Sequence, residues 1–103
     1  MREINKLVRD NIPAIIRRKG ETPIFHIIED DGEYLQALFD KGEEELRELR
    51  KDPCLEELAD DLERLSATAA ALGFTMMQVE EERQKKAAER GGFGGRVFLE
   101  RIE

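Results

Sequence analysis

One cysteine, Cys54, and one histidine, His26, are all that the chain offers in thiol and imidazole side chains. A single thiol excludes an internal disulfide and any all-cysteine metal centre, and Cys54 and His26 lie too far apart in sequence to suggest a zinc site. A lone cysteine also fits a reducing compartment. Long apolar runs are missing as well. No segment approaches the roughly 18 apolar residues of a membrane span, and Met1 to Leu7 alternate charges where a signal peptide carries an apolar stretch. A soluble, cytoplasmic protein is expected. With 103 residues, 1–103 reads as a single domain with a modest core, for which a homodimer or higher homo-oligomer is a natural state.

Charge, by contrast, is abundant. Acids outnumber bases by 24 to 17, a formal net charge of -7, which argues against nucleic acid or an anionic membrane as the main partner. The excess is concentrated. Between Glu29 and Glu63 stand 15 acids and only four bases, Lys41, Arg47, Arg50 and Lys51, so the remainder of the chain is net positive. Phosphate-rich ligands remain compatible with such a middle if cations bridge the acids.

Helical periodicity dominates the pattern. Asp10 or Asn11 can cap a short helix with Pro13 in its first turn and Gly20 closing it. Glu21 to Glu29 reads as an ordered connector or short extended segment, since Ile24, Ile27 and Ile28 favour strand but a lone strand needs a partner. A long helix is predicted from Asp31 to about Lys51, with Leu35, Leu38, Phe39, Leu46 and Leu49 as its apolar stripe and Gly42 inside it, for close packing or for a ligand. Asp52 and Pro53 read as cap and first residue of a third helix to about Leu72, with Leu55, Leu58, Leu62, Leu65, Ala69 and Leu72 as its buried side and Gly73 at its end. So short a connection predicts an antiparallel hairpin. Thr75 and Gln78 form a capping-box signature for a fourth helix, whose apolar side of Met76, Met77, Val79 and Ala87 is thin. It ends in the basic residues Lys85, Lys86 and Arg90; Phe93 to Glu103 follow without a firm assignment. The fold class expected is all-α, a compact antiparallel helical bundle around a central hairpin.

Within the hairpin, Glu45 and Glu48 stand three apart on one helix, and Glu57 and Asp60 three apart on the next, so each pair shares a face. At about 100° per residue, Glu45 and Glu57 lie roughly 70° and 110° from the centres of their apolar stripes and can flank one groove. Asp60, at roughly 170°, points away from the leucines and needs another packing contact to turn it inward. Asp61, at roughly 70°, is on the groove side, as a metal ligand, a water-orienting base or the partner of a basic residue. Converging carboxylates repel, and a hard divalent cation such as Mg2+, or Mn2+, relieves that repulsion while leaving positions for water and phosphate oxygens. The same spacing is also common on solvated helix faces.

At these residues the chain resembles a known family. Glu44, Glu45 and Glu48 followed by Glu57 and Asp60 are similar to the E-E-x-x-E and E-x-x-D signatures of the all-alpha nucleotide pyrophosphatases, which include MazG-type enzymes, dimeric dUTPases and phosphoribosyl-ATP pyrophosphohydrolases. The opening Lys6-Leu7-Val8-Arg9-Asp10 with Ile12-Pro13, and the closing Arg90-Gly91-Gly92-Phe93, resemble a small MazG-like subgroup, so the likeness spans nearly the whole chain.

The resemblance implies a MazG-like fold and hydrolysis of a nucleoside triphosphate to the monophosphate and pyrophosphate, in the manner of enzymes that remove noncanonical nucleotides. It implies magnesium on Glu45, Glu48, Glu57 and Asp60, with Glu44 in support. Those four and Asp61 are the candidate catalytic set. Lys6, Arg9, Lys85 and Arg90 are the candidates for holding phosphate oxygens. The alternatives are phosphoribosyl-ATP hydrolysis and a nonenzymatic helical interaction or regulatory protein. Two features depart from the pattern. The interval from Glu48 to Glu57 is shorter than in typical MazG enzymes, and Gly42 and Asp61 stand where apolar residues are usual.

Overall fold

The computed structural model describes residues 2–103. Four helices make up its regular structure: α1 (Ile12–Arg18), α2 (Asp31–Lys51), α3 (Leu55–Ala71) and α4 (Met76–Arg90). No strand occurs among the described residues. The fold is therefore all-α, with the connector over residues 21–29 in irregular backbone, its Phe25 lying 5.7 Å from the Arg17 guanidinium.

The helix ends follow local chemistry. Asp30 caps α2 by accepting from the Glu33 amide at 2.9 Å. At α4, the Thr75 hydroxyl accepts from the Gln78 amide at 3.1 Å while the Gln78 side chain accepts from the Thr75 amide at 2.9 Å, completing the capping box. Gly73, at φ +87°, supplies the left-handed turn that ends α3. The junction of α2 and α3 departs from expectation. Pro53 disfavours helical backbone at the residue before it, so Asp52 (φ -140°) closes α2, donating its amide to Glu48, and Cys54 becomes the cap residue of α3.

Helices α2 and α3 form the expected antiparallel hairpin, but through a different face of α3. Leu38 on α2 is 2% exposed and Ala69 on α3 is 6% exposed; they are the buried apolar residues, with Thr68 and Glu45 buried beside them. Leu38, Gly42, Glu45 and Leu49 run along α2 at helical spacing, and Glu57, Asp61, Arg64 and Thr68 along α3. Gly42 lies against Arg64, which sets the register of this seam.

The leucine stripe predicted as the buried side of α3 is mostly in solvent: Leu55, Leu58, Leu62, Leu65 and Leu72 are exposed, as are Phe39 and Leu46 on α2. Each set sits roughly a quarter-turn from the seam, in the sense that puts both on the same side of an antiparallel pair. Two helices share only one seam, so a second apolar stripe needs a further layer to bury it. Helix α4 meets α3 alone and α1 packs on no other helix.

The chain is accordingly elongated, 60 × 31 × 25 Å, with a radius of gyration of 17.8 Å against about 13 Å for a compact chain of this length. No helix among the described residues is long and apolar enough to cross a membrane.

With so few residues closing the seam, Leu38→Ala is expected to lower the unfolding free energy by about 2–4 kcal/mol, whereas Thr75→Ala should cost about 1 kcal/mol through the lost cap. Urea titration followed by circular dichroism measures both, and equal losses would contradict this account of the core.

Candidate active site

The acids of the hairpin fall into two groups according to whether a base reaches them. Chain entry controls the first. Asn5 takes a left-handed conformation (φ +48°) that turns the N-terminal segment, a conformation asparagine tolerates better than most residues. The segment then lies along the hairpin. Lys6 Nζ donates to Glu44 at 2.5 Å and Arg9 Nη2 donates to Asp60 at 2.7 Å, the first reaching α2 and the second α3. Lys41 Nζ adds a 3.4 Å contact to Glu44. The Lys6 ammonium, and Lys41 beside it, hold the Glu44 carboxyl below the ordinary carboxylate range against the opposing effect of burial; Glu44 in turn raises Lys6.

Within the seam itself, Arg64 Nη2 donates to Asp61 Oδ1 at 2.5 Å, one helical turn away. The guanidinium lies flat against α2 because Gly42 has no side chain: a Cβ there would stand 3.0 Å from both Cζ and Nε of Arg64. Thus the two residues that depart from the family pattern have one structural explanation. Gly42 provides the bed and Asp61 the tether for a guanidinium whose side chain is only 18% exposed.

The second group has no base bonded to it. Glu45 is 3% exposed, and its Oε2 is buried with no hydrogen-bond partner; Glu57 Oε2 on the facing helix is in the same condition, as is Arg64 Nε. Burial pushes the Glu45 carboxyl upward, opposed by Lys41 and Arg64 and reinforced by Asp61 and Asp60. Glu57 is also raised, first by desolvation of its carboxyl and then by Glu48 and Asp60. Buried unpartnered carboxylate oxygens are costly unless protonation or a positive charge relieves them.

Other expected members stand differently. Glu48 is exposed on α2, and Asp60 and Asp61 are engaged with Arg9 and Arg64. Among the described residues, no three His, Cys, Asp or Glu side chains are grouped as they stand into a set that could hold a metal ion. Lys85 and Arg90 are exposed on α4 and form no ion pair with the groove acids.

Beside the acids, the N-terminal segment and α2 enclose an open cleft of about 340 Å³, lined by Asn5, Lys6, Leu7, Lys41, Glu44 and Arg47 among others. Lys41 and Arg47 join Lys6 there, two cations that the motif pattern did not single out. Their signal in the sequence is slight: they are two of four bases in the acid-rich interval. Arg64 left a fainter one. The interval ends at Glu63, one residue before it, and only the hairpin register pairs it with Gly42.

The chain is 51% identical over 45 residues to an uncharacterised protein of Mycolicibacterium smegmatis, a stretch covering 44% of this chain and 45% of that protein. The match spans less than half of that relative's length. No family model and no solved structure matches the chain.

The raised Glu45 pKa has a definite pH signature. Relative to the ordinary value of 4.5, a raised carboxyl stabilises the fold below the unfolded pKa and loses that contribution as pH rises through the folded pKa. At pH 7 without divalent cations, Glu45→Gln should therefore melt above the parent, by about 4–8 °C if the relief is about 1 kcal/mol. The gap should close as the pH falls below the unfolded value. A constant gap from pH 4 to 8 by differential scanning calorimetry would rule out the buried charge as its cause.

Proposed function

We propose that the chain is a MazG-like, divalent-cation-dependent nucleotide pyrophosphohydrolase acting as a homodimer or higher homo-oligomer. The observation that supports this most directly is the pair of buried, unpartnered carboxylate oxygens, Glu45 Oε2 and Glu57 Oε2, on facing helices. Lys41, which acts on the Glu45 carboxyl, also lines the cleft between the N-terminal segment and α2 together with Lys6, Arg47, Asp40 and Glu44. Acids that need a cation adjoin bases that can take phosphate, the complement required by a nucleoside triphosphate.

Magnesium, or manganese in its place, would be held by Glu45 and Glu57, with Glu48 and Asp60 completing the set from adjacent turns. When bound, it supplies charge neutralisation for the phosphates and a lowered pKa for the attacking water.

The residues of the chain do the rest. Asp60 joins by releasing Arg9, whose guanidinium then turns to a phosphate oxygen; Lys6 makes the corresponding exchange from Glu44. The N-terminal segment thereby trades carboxylates for phosphates as the nucleotide enters. Water attacks the α phosphorus, the bond from that phosphorus to the bridging oxygen breaks, and the oxygen leaves with pyrophosphate. The proton released from water passes to a groove carboxylate or to solvent. The products are the monophosphate and pyrophosphate.

Oligomerisation would supply the layer that the single chain lacks. The shared apolar face of Phe39, Leu46, Leu55, Leu58, Leu62 and Leu65 lies a quarter-turn from the seam, so a second hairpin on it would build a four-helix bundle with the leucines at its centre and Glu48 and Asp60 on its outer side. The bundle, rather than the lone chain, is the compact unit. Lys85 and Arg90, remote from α2 within one chain, would meet a nucleotide from the partner copy.

Release of pyrophosphate from a panel of nucleoside triphosphates with Mg2+, alongside phosphoribosyl-ATP, tests the reading. Turnover of a triphosphate is expected; activity on phosphoribosyl-ATP alone would reassign the substrate, and inactivity on all would overturn the enzyme. Glu45→Ala and Asp60→Ala should each lower kcat by at least about 100-fold, the scale of losing one key electrostatic group, with helicity retained. In light scattering, the double variant Leu58→Glu with Leu62→Glu should convert an oligomer into monomer; a parent that is already monomeric would remove the assembly from the proposal.

A further inference from the structure

The Arg64 guanidinium belongs to α3 and lies in the seam, with Lys41 of α2 acting on the same Glu45 carboxyl, whereas Lys6 and Arg9 are brought by the N-terminal segment. It lies against Gly42, bonds to Asp61 at 2.5 Å, and shares the buried strip with Glu45. Its Nε and the Glu45 Oε2 are both buried and both without a partner. Asp61 holds one end and the α2 backbone at Gly42 lies against its plane, with the side chain 18% exposed.

A fixed positive charge at that point opposes the arrival of any other cation. It also keeps Asp61 occupied, so an acid on the groove side is withheld from coordination. Around the seam stand the acids Glu44, Glu45, Glu48, Glu57, Asp60 and Asp61, and the bases Lys6, Arg9, Lys41 and Arg64. Two of those bases, Lys6 and Arg9, come from the N-terminal segment and can turn to phosphate. Arg64 has no such alternative partner.

We infer that Arg64 determines how the site acquires its divalent cation: the guanidinium on Gly42 holds down the affinity of the empty groove, so that the ion enters together with the phosphates of the nucleotide. The inference rests on the reading of the groove as a cation site. A triphosphate carries enough negative charge to outweigh one guanidinium, whereas the groove alone does not. The role of Gly42 follows from that of Arg64, because a Cβ at position 42 would stand 3.0 Å from Cζ and Nε and the guanidinium would have to shift to admit it.

Electron paramagnetic resonance of free Mn2+ titrated with the full-length chain, in the absence of nucleotide, measures the affinity directly. Arg64→Met should tighten Mn2+ binding at least about tenfold, the smallest effect expected of removing one neighbouring charge, while Arg64→Lys stays close to the parent. Gly42→Ala should tighten binding in the parent but change nothing when added to Arg64→Met, since its effect runs through the guanidinium. Melting curves and far-ultraviolet circular dichroism confirm that each variant is folded. If Arg64→Met proves misfolded, the comparison of Gly42→Ala with the parent still decides. Mn2+ binding that is unchanged or weaker in the folded variants would overturn the inference and leave the cation site standing. Absence of Mn2+ binding in every variant, with Glu45→Gln indifferent, would overturn both.

Discussion

The structure depends on a buried strip of charge between two antiparallel helices. Glu45 from α2 and Arg64 from α3 occupy the seam where an ordinary hairpin places leucine against leucine, Glu45 buried and Arg64 half-buried. Burying charge costs several kcal/mol per ion unless partners compensate. That cost governs the neighbours: Asp61 bonds to Arg64, Gly42 leaves room for it, and the Glu45 and Glu57 carboxyls are pushed upward in pKa. The exposed leucines follow from the same choice, because the face of α3 that meets α2 is the polar one.

The hairpin is thereby two-sided. On one side, Lys6 and Arg9 reach down from the N-terminal segment to Glu44 and Asp60, making a charged surface of ion pairs. On the other, Phe39 and Leu46 lie alongside the α3 leucines in solvent. A single chain with so little apolar burial is marginal on its own. Covering the apolar side adds stability and leaves the charged side free, so assembly and chemistry need not compete for the same surface.

Much of this was legible in the residues. The capping box of Thr75 and Gln78, the start of α2 at Asp31 and the end of α3 before Gly73 are local matters, decided by hydrogen bonds within a turn of the chain. Pro53 was legible only in part. Its steric effect on Asp52 moved the start of α3 two residues onward, from Pro53 to Leu55, since a proline restricts its predecessor as strongly as it tolerates a helix start. In the candidate site, helical projection turned Glu45 and Glu57 toward the groove, and each has a buried carboxylate oxygen. Arg64, Lys41 and Arg47 did not, because their places depend on which strip of each helix faces the other.

The sequence by itself determined that the chain is helical, where its helices lie and that its middle is acidic, because capping, periodicity and charge count act over a few residues. Only the tertiary structure decided which face of α3 meets α2. Rotating that helix by about a quarter-turn exchanges a leucine seam for a charged one without altering any local signal. The choice put Glu45 and Arg64 in the seam and the leucines outside, and of the three roles that spacing left open to Asp61, a metal ligand, a water-orienting base or the partner of a basic residue, it selected the last.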